Sequence, residues 1–234
     1  MRAVLKREFR AYFQTPLGYV VIAAMAFFTN YYFFMYNLCG MTTDFSRLFE
    51  LLFTVVLFLV PVLTMRLLSE DKRSRTEQLL LTAPVSRGGI VTGKYLAALA
   101  VYLISTSFTL IDAVIASHYA PVQWPLVIGH FLGLFLLGAA LIAVCMFLSG
   151  LTESQVVAAV LGFVVSLFLL LMKAITYVVA NPVVQALAKY MSFNDRYVPF
   201  TYGIVDFSNT LFFLSFAGLF LFLSAQMLEK RRWS

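Results

Sequence analysis

The stretch LFELLFTVVLFLVPVLTMRLL occupies residues 48–68 and holds only two charged side chains, Glu50 near its start and Arg66 near its end. Crossing the hydrocarbon core of a bilayer takes about 20 predominantly apolar residues in a helix. Lipid offers the backbone no hydrogen-bond partners, so a segment that crosses it must satisfy its amides and carbonyls internally, as a helix does. Residues 48–68 are therefore predicted to form a membrane-spanning helix.

Similar apolar stretches lie on both sides of this one. Of the 234 residues, 62% are hydrophobic and 12% are charged, which excludes an ordinary soluble domain. The stretches are long and apolar on every face, whereas a membrane β-barrel shows alternating segments of about 10 residues. We therefore expect one all-α transmembrane domain over residues 1–234, with spans at about 17–38, 48–68, 93–117, 125–149, 154–178 and 207–228.

The basic residues are distributed unevenly between the two sides that six spans define. All lysines and arginines except Arg47, Lys173, Lys189 and Arg196 fall on the side that holds both termini. Cytoplasmic loops carry an excess of these residues. We therefore place both termini and the loop 69–92 in the cytoplasm, and the segment 179–206 on the extracytoplasmic side. The net charge of +6 then reflects topology and attraction to anionic lipid rather than nucleic-acid binding.

Residues 1–16 have the pattern of a short amphipathic helix. Leu5, Phe9, Tyr12 and Phe13 recur at helical spacing, and the remaining faces carry cations, namely Arg2, Lys6, Arg7 and Arg10. Such a helix lies in the membrane interface with its apolar stripe toward lipid. The alternative is a basic N-terminal anchor with no interfacial role.

The cytoplasmic loop 69–92 contains a second short helical pattern. Residues 70–73 are all charged and are expected to be fully solvated, and residues 75–82 then place three leucines on a short run that Ala83-Pro84 ends. This run is too short to span a membrane. Its leucines are therefore presented either to the bilayer surface or to a groove on a partner. Before the loop, Pro61 is expected to kink the second span.

Reactive and metal-binding groups are few in this sequence. Cys39 and Cys145 have no partner at metal-ligand spacing, and His118 and His130 are expected to be interfacial residues, so no catalytic or metal site is predicted. Residues 88–95 fit the phosphate-loop pattern G-x-x-x-x-G-K, but Tyr95 replaces the Ser or Thr that would hold magnesium. A phosphate loop also follows a strand, whereas this one opens a membrane helix. This chain is therefore not expected to hydrolyse ATP.

Several motifs resemble those of ABC-2-type transporter permeases, in particular the subgroup of gliding-motility and nitrous-oxide-reductase maturation systems. The similar segments are residues 61–66, Glu70, residues 76–86, Gly93-Lys94, the turn at 148–155 and the last span at 202–233. Arg75 departs from the pattern, because a glycine commonly precedes Thr76 in that family.

The resemblance implies a type V exporter-like fold with an N-terminal elbow helix, carrying Arg7, Phe9, Arg10 and Phe13, and a cytoplasmic coupling helix between spans 2 and 3. It implies that the coupling helix contacts a separate ATP-binding subunit, which holds the ATP and magnesium. The ATPase-coupling residues would be Glu70, Thr76, Glu77, Gln78, Leu79, Leu80, Leu81 and Thr82. It further implies a second permease chain, identical or not, and location in the bacterial cytoplasmic membrane. An extracytoplasmic accessory protein is a further candidate partner.

Two charges are expected at similar depth inside the membrane, where unpaired charges are unfavourable. Asp112 and Lys173 each lie about 18 residues along an outward-running span, and we hypothesise an ion pair between them. The alternative is that each side chain reaches the outer headgroups separately.

The sequence thus favours a permease subunit that exports a substrate with the energy of a partner's ATP. Two alternatives stay open: a membrane subunit that transmits mechanical work to extracytoplasmic partners, and an ion-coupled carrier that works alone. Carriers of the second kind usually have several ionisable groups near the middle of the membrane. The substrate is not readable from the sequence.

Overall fold

The computed structural model describes residues 2–74, 87–178, 185 and 191–232, with the backbone alone for residues 87, 173–178 and 231–232. Within these residues every regular element is a helix, which confirms the predicted all-α class. The α-helices are α1 (Arg2–Gln14), α2 (Pro16–Tyr32), α3 (Ser46–Thr64), α4 (Ser69–Arg73), α5 (Arg87–Thr106), α6 (Phe108–Tyr119), α7 (Trp124–Leu151), α8 (Gln155–Val178), α9 (Phe193–Thr201) and α10 (Phe207–Arg232). A π-helical segment, Phe33–Leu38, extends α2.

Six helical segments are long and apolar enough to cross a membrane, as predicted: Pro16–Leu38, Ser46–Arg73, Gly88–Tyr119, Trp124–Leu151, Gln155–Met172 and Phe207–Lys230. The third has 32 residues. At 1.5 Å per residue it is about 48 Å long, more than the roughly 30 Å of a hydrocarbon core. It therefore extends beyond the lipid tails at one end or both.

Helix α7 lies at the centre of the bundle. It packs against α3, α5, α8, α9 and α10, and 72% of its most apolar 18-residue stretch is buried. Helices α2, α8 and α10 lie at the periphery. In the most apolar 18-residue stretches of these three spans, 28%, 33% and 22% is buried, respectively. They expose large apolar side chains such as Phe27, Val156 and Phe222, as expected for surfaces that face lipid.

Spans 2 and 3 are each interrupted near polar residues. Helix α3 continues through Pro61 and ends at Thr64, whose hydroxyl donates to the Val60 carbonyl oxygen at 2.8 Å. Helix α5 ends at Thr106, and the Ser107 hydroxyl donates to the Ile104 carbonyl oxygen at 2.6 Å before α6 begins. Hydroxyls that bond to carbonyls of the preceding turn compete with the helical pattern and locally weaken it. The continuous third span expected from the sequence is therefore two consecutive helices.

Candidate functional site

A buried ion cluster lies at the end of the bundle where the chain enters and leaves residues 75–86. From here on these residues are called the loop, and this end of the bundle the loop end. Lys94 on α5 is 2% exposed, and its Nζ lies 2.7 Å from Asp71 Oδ2 and 3.1 Å from Glu8 Oε1. The same Nζ donates to the Leu67 carbonyl oxygen at 2.7 Å. Lys94 has three N–H donors, and three acceptors surround it. Glu8, Asp71 and Lys94 are called the clamp below.

The clamp joins three separate parts of the chain. Glu8 belongs to α1, Asp71 to α4, which precedes the loop, and Lys94 to α5, which follows it. Arg7 adds a second cation, because its Nη2 lies 2.6 Å from Glu8 Oε1 and 3.9 Å from Asp71 Oδ1. Two carboxylates thus face two cations, so the charges compensate where the side chains leave water. Buried charges are tolerated under that condition.

A second set of contacts fixes α1 to the end of span 2. The Tyr12 hydroxyl donates to the Leu63 carbonyl oxygen at 2.9 Å, and burial raises the pKa of Tyr12 well above its ordinary value, so the phenol stays neutral. The Arg66 guanidinium lies over the Tyr12 ring at 5.5 Å and donates to the Thr15 hydroxyl at 2.6 Å. Its Nε also lies 3.0 Å from Glu70 Oε2. The end of α1 is therefore attached to the end of span 2 at two points, Leu63 and Arg66.

The end of α7 supports the interrupted backbone of span 2. The buried Ser149 hydroxyl donates to the Met65 carbonyl oxygen at 2.9 Å and accepts from the amides of Leu68 and Ser69 at 3.3 and 3.2 Å. One side chain thus serves three backbone groups that no longer have helical partners. Beyond it, Lys72 Nζ lies 3.3 Å from Glu153 Oε1 in the turn after α7.

These contacts correct one expectation from the sequence. Residues 70–73 are predicted to be fully solvated, and Arg73 is exposed, but Glu70 pairs with Arg66 one turn earlier, and Asp71 and Lys72 pair with residues far away in sequence. A run of four charges has no periodicity that identifies a buried member. Asp71 is held because it is one of the two carboxylates that compensate the buried Lys94, and that partner is far away in sequence.

The predicted coupling helix lies outside the described residues, so Thr76, Glu77, Gln78, Leu79, Leu80, Leu81 and Thr82 have no structural description here. Glu70 is described and pairs with Arg66. What the structure does describe is the pair of helices on either side of the loop, α4 and α5, and the clamp that joins them to each other and to α1.

The faces of α1 differ in part from the predicted amphipathic pattern. Val4, Glu8 and Tyr12 form the buried stripe, and it faces protein, so Tyr12 does not belong to a lipid-facing stripe as expected. Phe9 and Phe13 are half-buried, with ring centroids 5.0 Å apart. Arg7 and Arg10 are exposed. Glu8 was missed from the sequence, although a single acid between Val4 and Tyr12 in an otherwise basic helix is a signal for it.

The phosphate-loop pattern at residues 88–95 occupies the first turns of α5. The amine of Lys94 is enclosed by two carboxylates, which would repel a phosphate, and the Tyr95 hydroxyl donates to the Ala139 carbonyl oxygen at 3.1 Å. The lysine of the pattern therefore has a structural role. The part of the chain that is described contains no group of three or more His, Cys, Asp or Glu side chains arranged to hold a metal ion.

The intramembrane candidates are only partly described. Asp112 on α6 is 2% exposed, and its Oδ2 has no hydrogen-bond partner among the described residues. The Lys173 side chain lies outside the described part of the chain, so the proposed ion pair stays a prediction. Pro61 lies against α8, where a Cβ on Gly162 would come within 2.8 Å of the proline Cβ. The predicted kink at Pro61 likewise stays a prediction.

The two histidines differ from each other. His118 is exposed at the end of α6, whereas His130 is 1% exposed and stacks on Phe49 with ring centroids 4.8 Å apart. His130 lies nearly two turns into α7 and is buried against α3. Burial within the bundle does not fix its depth in the membrane, so the expectation that both histidines are interfacial stays a prediction.

Comparison with known proteins agrees with this architecture of six apolar helices. No curated protein sequence matches the chain. A family model described as "ABC-2 family transporter protein" matches residues 10–233, nearly the whole chain. The match does not separate subgroups, so the gliding-motility or nitrous-oxide-reductase maturation subgroup stays a prediction. The chain is a multi-pass membrane protein that belongs to the ABC-2 transporter family.

Proposed function

We propose that this chain is the permease subunit of an ATP-driven exporter, and that its loop 75–86 receives the movement of a separate ATP-binding subunit. The observation that supports this most directly is the clamp. Lys94 joins the two helices that flank the loop, and Glu8 joins both to α1. A displacement of the loop would therefore move α1, span 2 and span 3 together rather than bend one connection.

The coupling helix at residues 76–82 would make the contact with that subunit, with Leu79 and Leu80 as its buried residues and Glu77 as a polar one. ATP and magnesium would bind to the partner, since the lysine of the only phosphate-loop pattern in this sequence is enclosed by carboxylates. Two such permease chains, identical or different, would line the path between them.

The proposed orientation follows from the charge distribution. The cations of α1 and those near the loop lie on one side of the six spans, and cytoplasmic loops are enriched in such residues. Both termini and the loop would then be cytoplasmic in a bacterial inner membrane. The starts of α3 and α7 would face the extracytoplasmic side.

The experiment is affinity purification of the tagged full-length chain from membranes of its own host. We expect an ATP-binding protein to co-purify and to give the preparation ATPase activity. In the double variant Leu79→Asp/Leu80→Asp this protein should be lost, because two charges cannot enter an apolar groove without partners. A matched control is Met41→Asp, which adds an acid at a 94% exposed apolar residue at the other end of the bundle.

The proposal fails if the purified chain transports its substrate with ATP absent, which would favour the ion-coupled carrier. It also fails if an ATP-binding protein is retained equally by both variants. Retention of ATPase coupling without any transported substrate would instead favour the subunit that transmits mechanical work.

A further inference from the structure

The end of the bundle opposite the loop, called the distal end here, contains two adjoining clefts. They have volumes of about 370 and 430 Å³ and share four lining residues, Asp44, Ser46, Thr201 and Tyr202. Volumes of this size are typical of sites for small molecules or for single side chains of a partner. The walls come from the start of α3, the start of α7 and helix α9.

The walls are held by close packing rather than by a mobile loop. A Cβ on Gly129 of α7 would come within 2.8 Å of Gly203 Cα, and one on Gly133 within 2.7 Å of Phe200 Cβ, so α9 approaches α7 where side chains are absent. The Tyr197 hydroxyl donates to the Phe49 carbonyl oxygen at 3.3 Å, which joins α9 to α3. The shape of the clefts is therefore largely formed before anything binds.

The charged groups of the clefts favour a cation. Asp44 and Glu50 are the carboxylates that line them, and Arg47, the one described cation in their walls, has its Nη1 2.6 Å from Glu50 Oε2. Asp44 forms no ion pair with a described lysine or arginine. Its Oδ1 accepts from the Ser46 amide at 2.9 Å and from the Ser46 hydroxyl at 2.6 Å. These bonds hold the pKa of Asp44 below its ordinary value, so the carboxylate is charged at neutral pH.

The polar atoms around Asp44 favour a ligand that donates hydrogen bonds. Asn194 Oδ1 and His130 Nδ1 are buried and have no partner among the described residues, and both residues line the clefts. Because the Ser46 hydroxyl donates to Asp44, its oxygen is left to accept from His130 Nε2, which lies 3.4 Å away. That arrangement leaves Nδ1 of a neutral His130 as an acceptor. It also excludes a hydrolytic triad, in which the histidine would take the serine proton.

The clefts also contain an exposed aromatic residue, Tyr202. Tyr202 is 69% exposed and lines both clefts together with Asp44, so its ring is accessible to a bound group. Ammonium and guanidinium groups are attracted to the faces of aromatic rings as well as to carboxylates.

We infer that the distal clefts bind an ammonium or guanidinium group, carried either by a free polyamine or by a lysine or arginine of a protein on that side of the membrane. Asp44 supplies the charge, Tyr202 the aromatic face and Asn194 an acceptor. This inference does not depend on the ATP-binding partner, so its failure would leave the proposed function untouched, and the reverse also holds.

The test uses the full-length chain with Trp233→Phe in lipid nanodiscs. The sequence has two tryptophans, so Trp124 is then the only one, and it directly follows Gln123 in the wall of the first cleft. Three probes are titrated while Trp124 emission is recorded: N-acetylarginine amide, spermidine and the uncharged N-acetylcitrulline amide. Equilibrium dialysis with labelled forms of the same probes detects any binding that leaves the Trp124 emission unchanged.

We expect saturable binding of at least one cationic probe and none of the citrulline compound. Asp44→Asn should weaken that binding by about tenfold, the loss of one charge-assisted contact, while Asp44→Glu retains it. Asparagine keeps an oxygen for the Ser46 bonds, so the variant should fold. Asp195→Asn is the matched control, because it removes a carboxylate at the same end outside both clefts.

Preference for N-acetylarginine amide would identify a protein side chain as the natural occupant, and preference for spermidine a free polyamine. The inference is overturned if the citrulline compound binds equally well, if Asp44→Asn leaves the affinity unchanged, or if neither cation binds by either measurement.

Discussion

The two ends of the bundle satisfy their polar groups in opposite ways. At the loop end, the buried cation Lys94 has three acceptors, and the Ser149 hydroxyl serves three backbone groups. At the distal end, His130 and Asn194 keep buried polar atoms without partners among the described residues, beside an ionised Asp44. Complete pairing fixes one geometry, whereas unpaired acceptors leave a site for something else. The loop end is thus built to hold its shape, and the distal end to receive a ligand.

The largest expected effect is loss of the clamp in Lys94→Met. Glu8 and Asp71 would then lie partly buried without the cation that pairs with both of them, and breaking a buried ion pair on one side costs about 3–5 kcal/mol. The loss of stability is measured as the change in the free energy of unfolding when the protein in mild detergent is titrated with SDS. The control is Lys6→Met, which removes an exposed cation from α1.

A double variant refines the same experiment. Adding Glu8→Gln to Lys94→Met removes one of the two carboxylates that have lost their contact with Lys94, so the double variant should recover part of the lost stability. If Lys94→Met is no more destabilising than Lys6→Met, the loop end is not rigidly paired and the comparison fails.

A smaller effect is expected for Ser149→Ala at the same end. The Met65 carbonyl and the amides of Leu68 and Ser69 would lose this partner, at a cost of about 1–3 kcal/mol. The matched control is Ser117→Ala, whose hydroxyl bonds only within its own helix, to Val114. Equal midpoints of thermal unfolding for the two variants would contradict the role given to Ser149.

At the distal end, His130→Phe should change stability by less than about 1 kcal/mol. The replacement keeps a ring stacked on Phe49 and removes a buried nitrogen that has no described partner, which offsets the weak 3.4 Å contact with Ser46. Unfolding in SDS provides the comparison with Ser149→Ala. A loss as large as that of Ser149→Ala would show that His130 is fully paired, and the contrast between the ends would disappear.

The smallest effect concerns pH. Hydrogen bonds from Ser46 lower the pKa of Asp44 in the folded protein, so its ionised form stabilises the fold above the unfolded pKa of about 4. That contribution is lost as pH falls through the lower, folded pKa. Asp44→Ala should therefore reduce the midpoint of thermal unfolding slightly at pH 7, and the difference from wild type should shrink below pH 4. A difference that grows on acidification would mean that the folded pKa is raised instead.

The six apolar helices could be predicted because each depends on one contiguous run of residues, such as 48–68, whose length and composition suffice. The clamp could not, because Glu8, Asp71 and Lys94 are 63 and 23 residues apart in order along the chain and follow no period. In the sequence, Lys94 belongs to a phosphate-loop pattern, which points to a different role. The distal clefts could not be predicted for a similar reason, because His130 and Asp44 line the same cleft only when α7 packs on α3. The breaks at Thr64 and Ser107 depend on local hydroxyl bonds that an apolar span does not reveal.

The order of synthesis gives the clamp one more consequence. Glu8 and Asp71 leave the ribosome before Lys94, so α1 has no buried cation to dock against until the third span has been made and inserted. A nascent chain that stops after span 2 should therefore hold its N-terminal helix through Tyr12 and Arg66 but not through Lys94, and proteases should cleave that helix more readily than in the whole chain. Completion of the docking of α1 would then mark the point at which the first three spans are in the membrane.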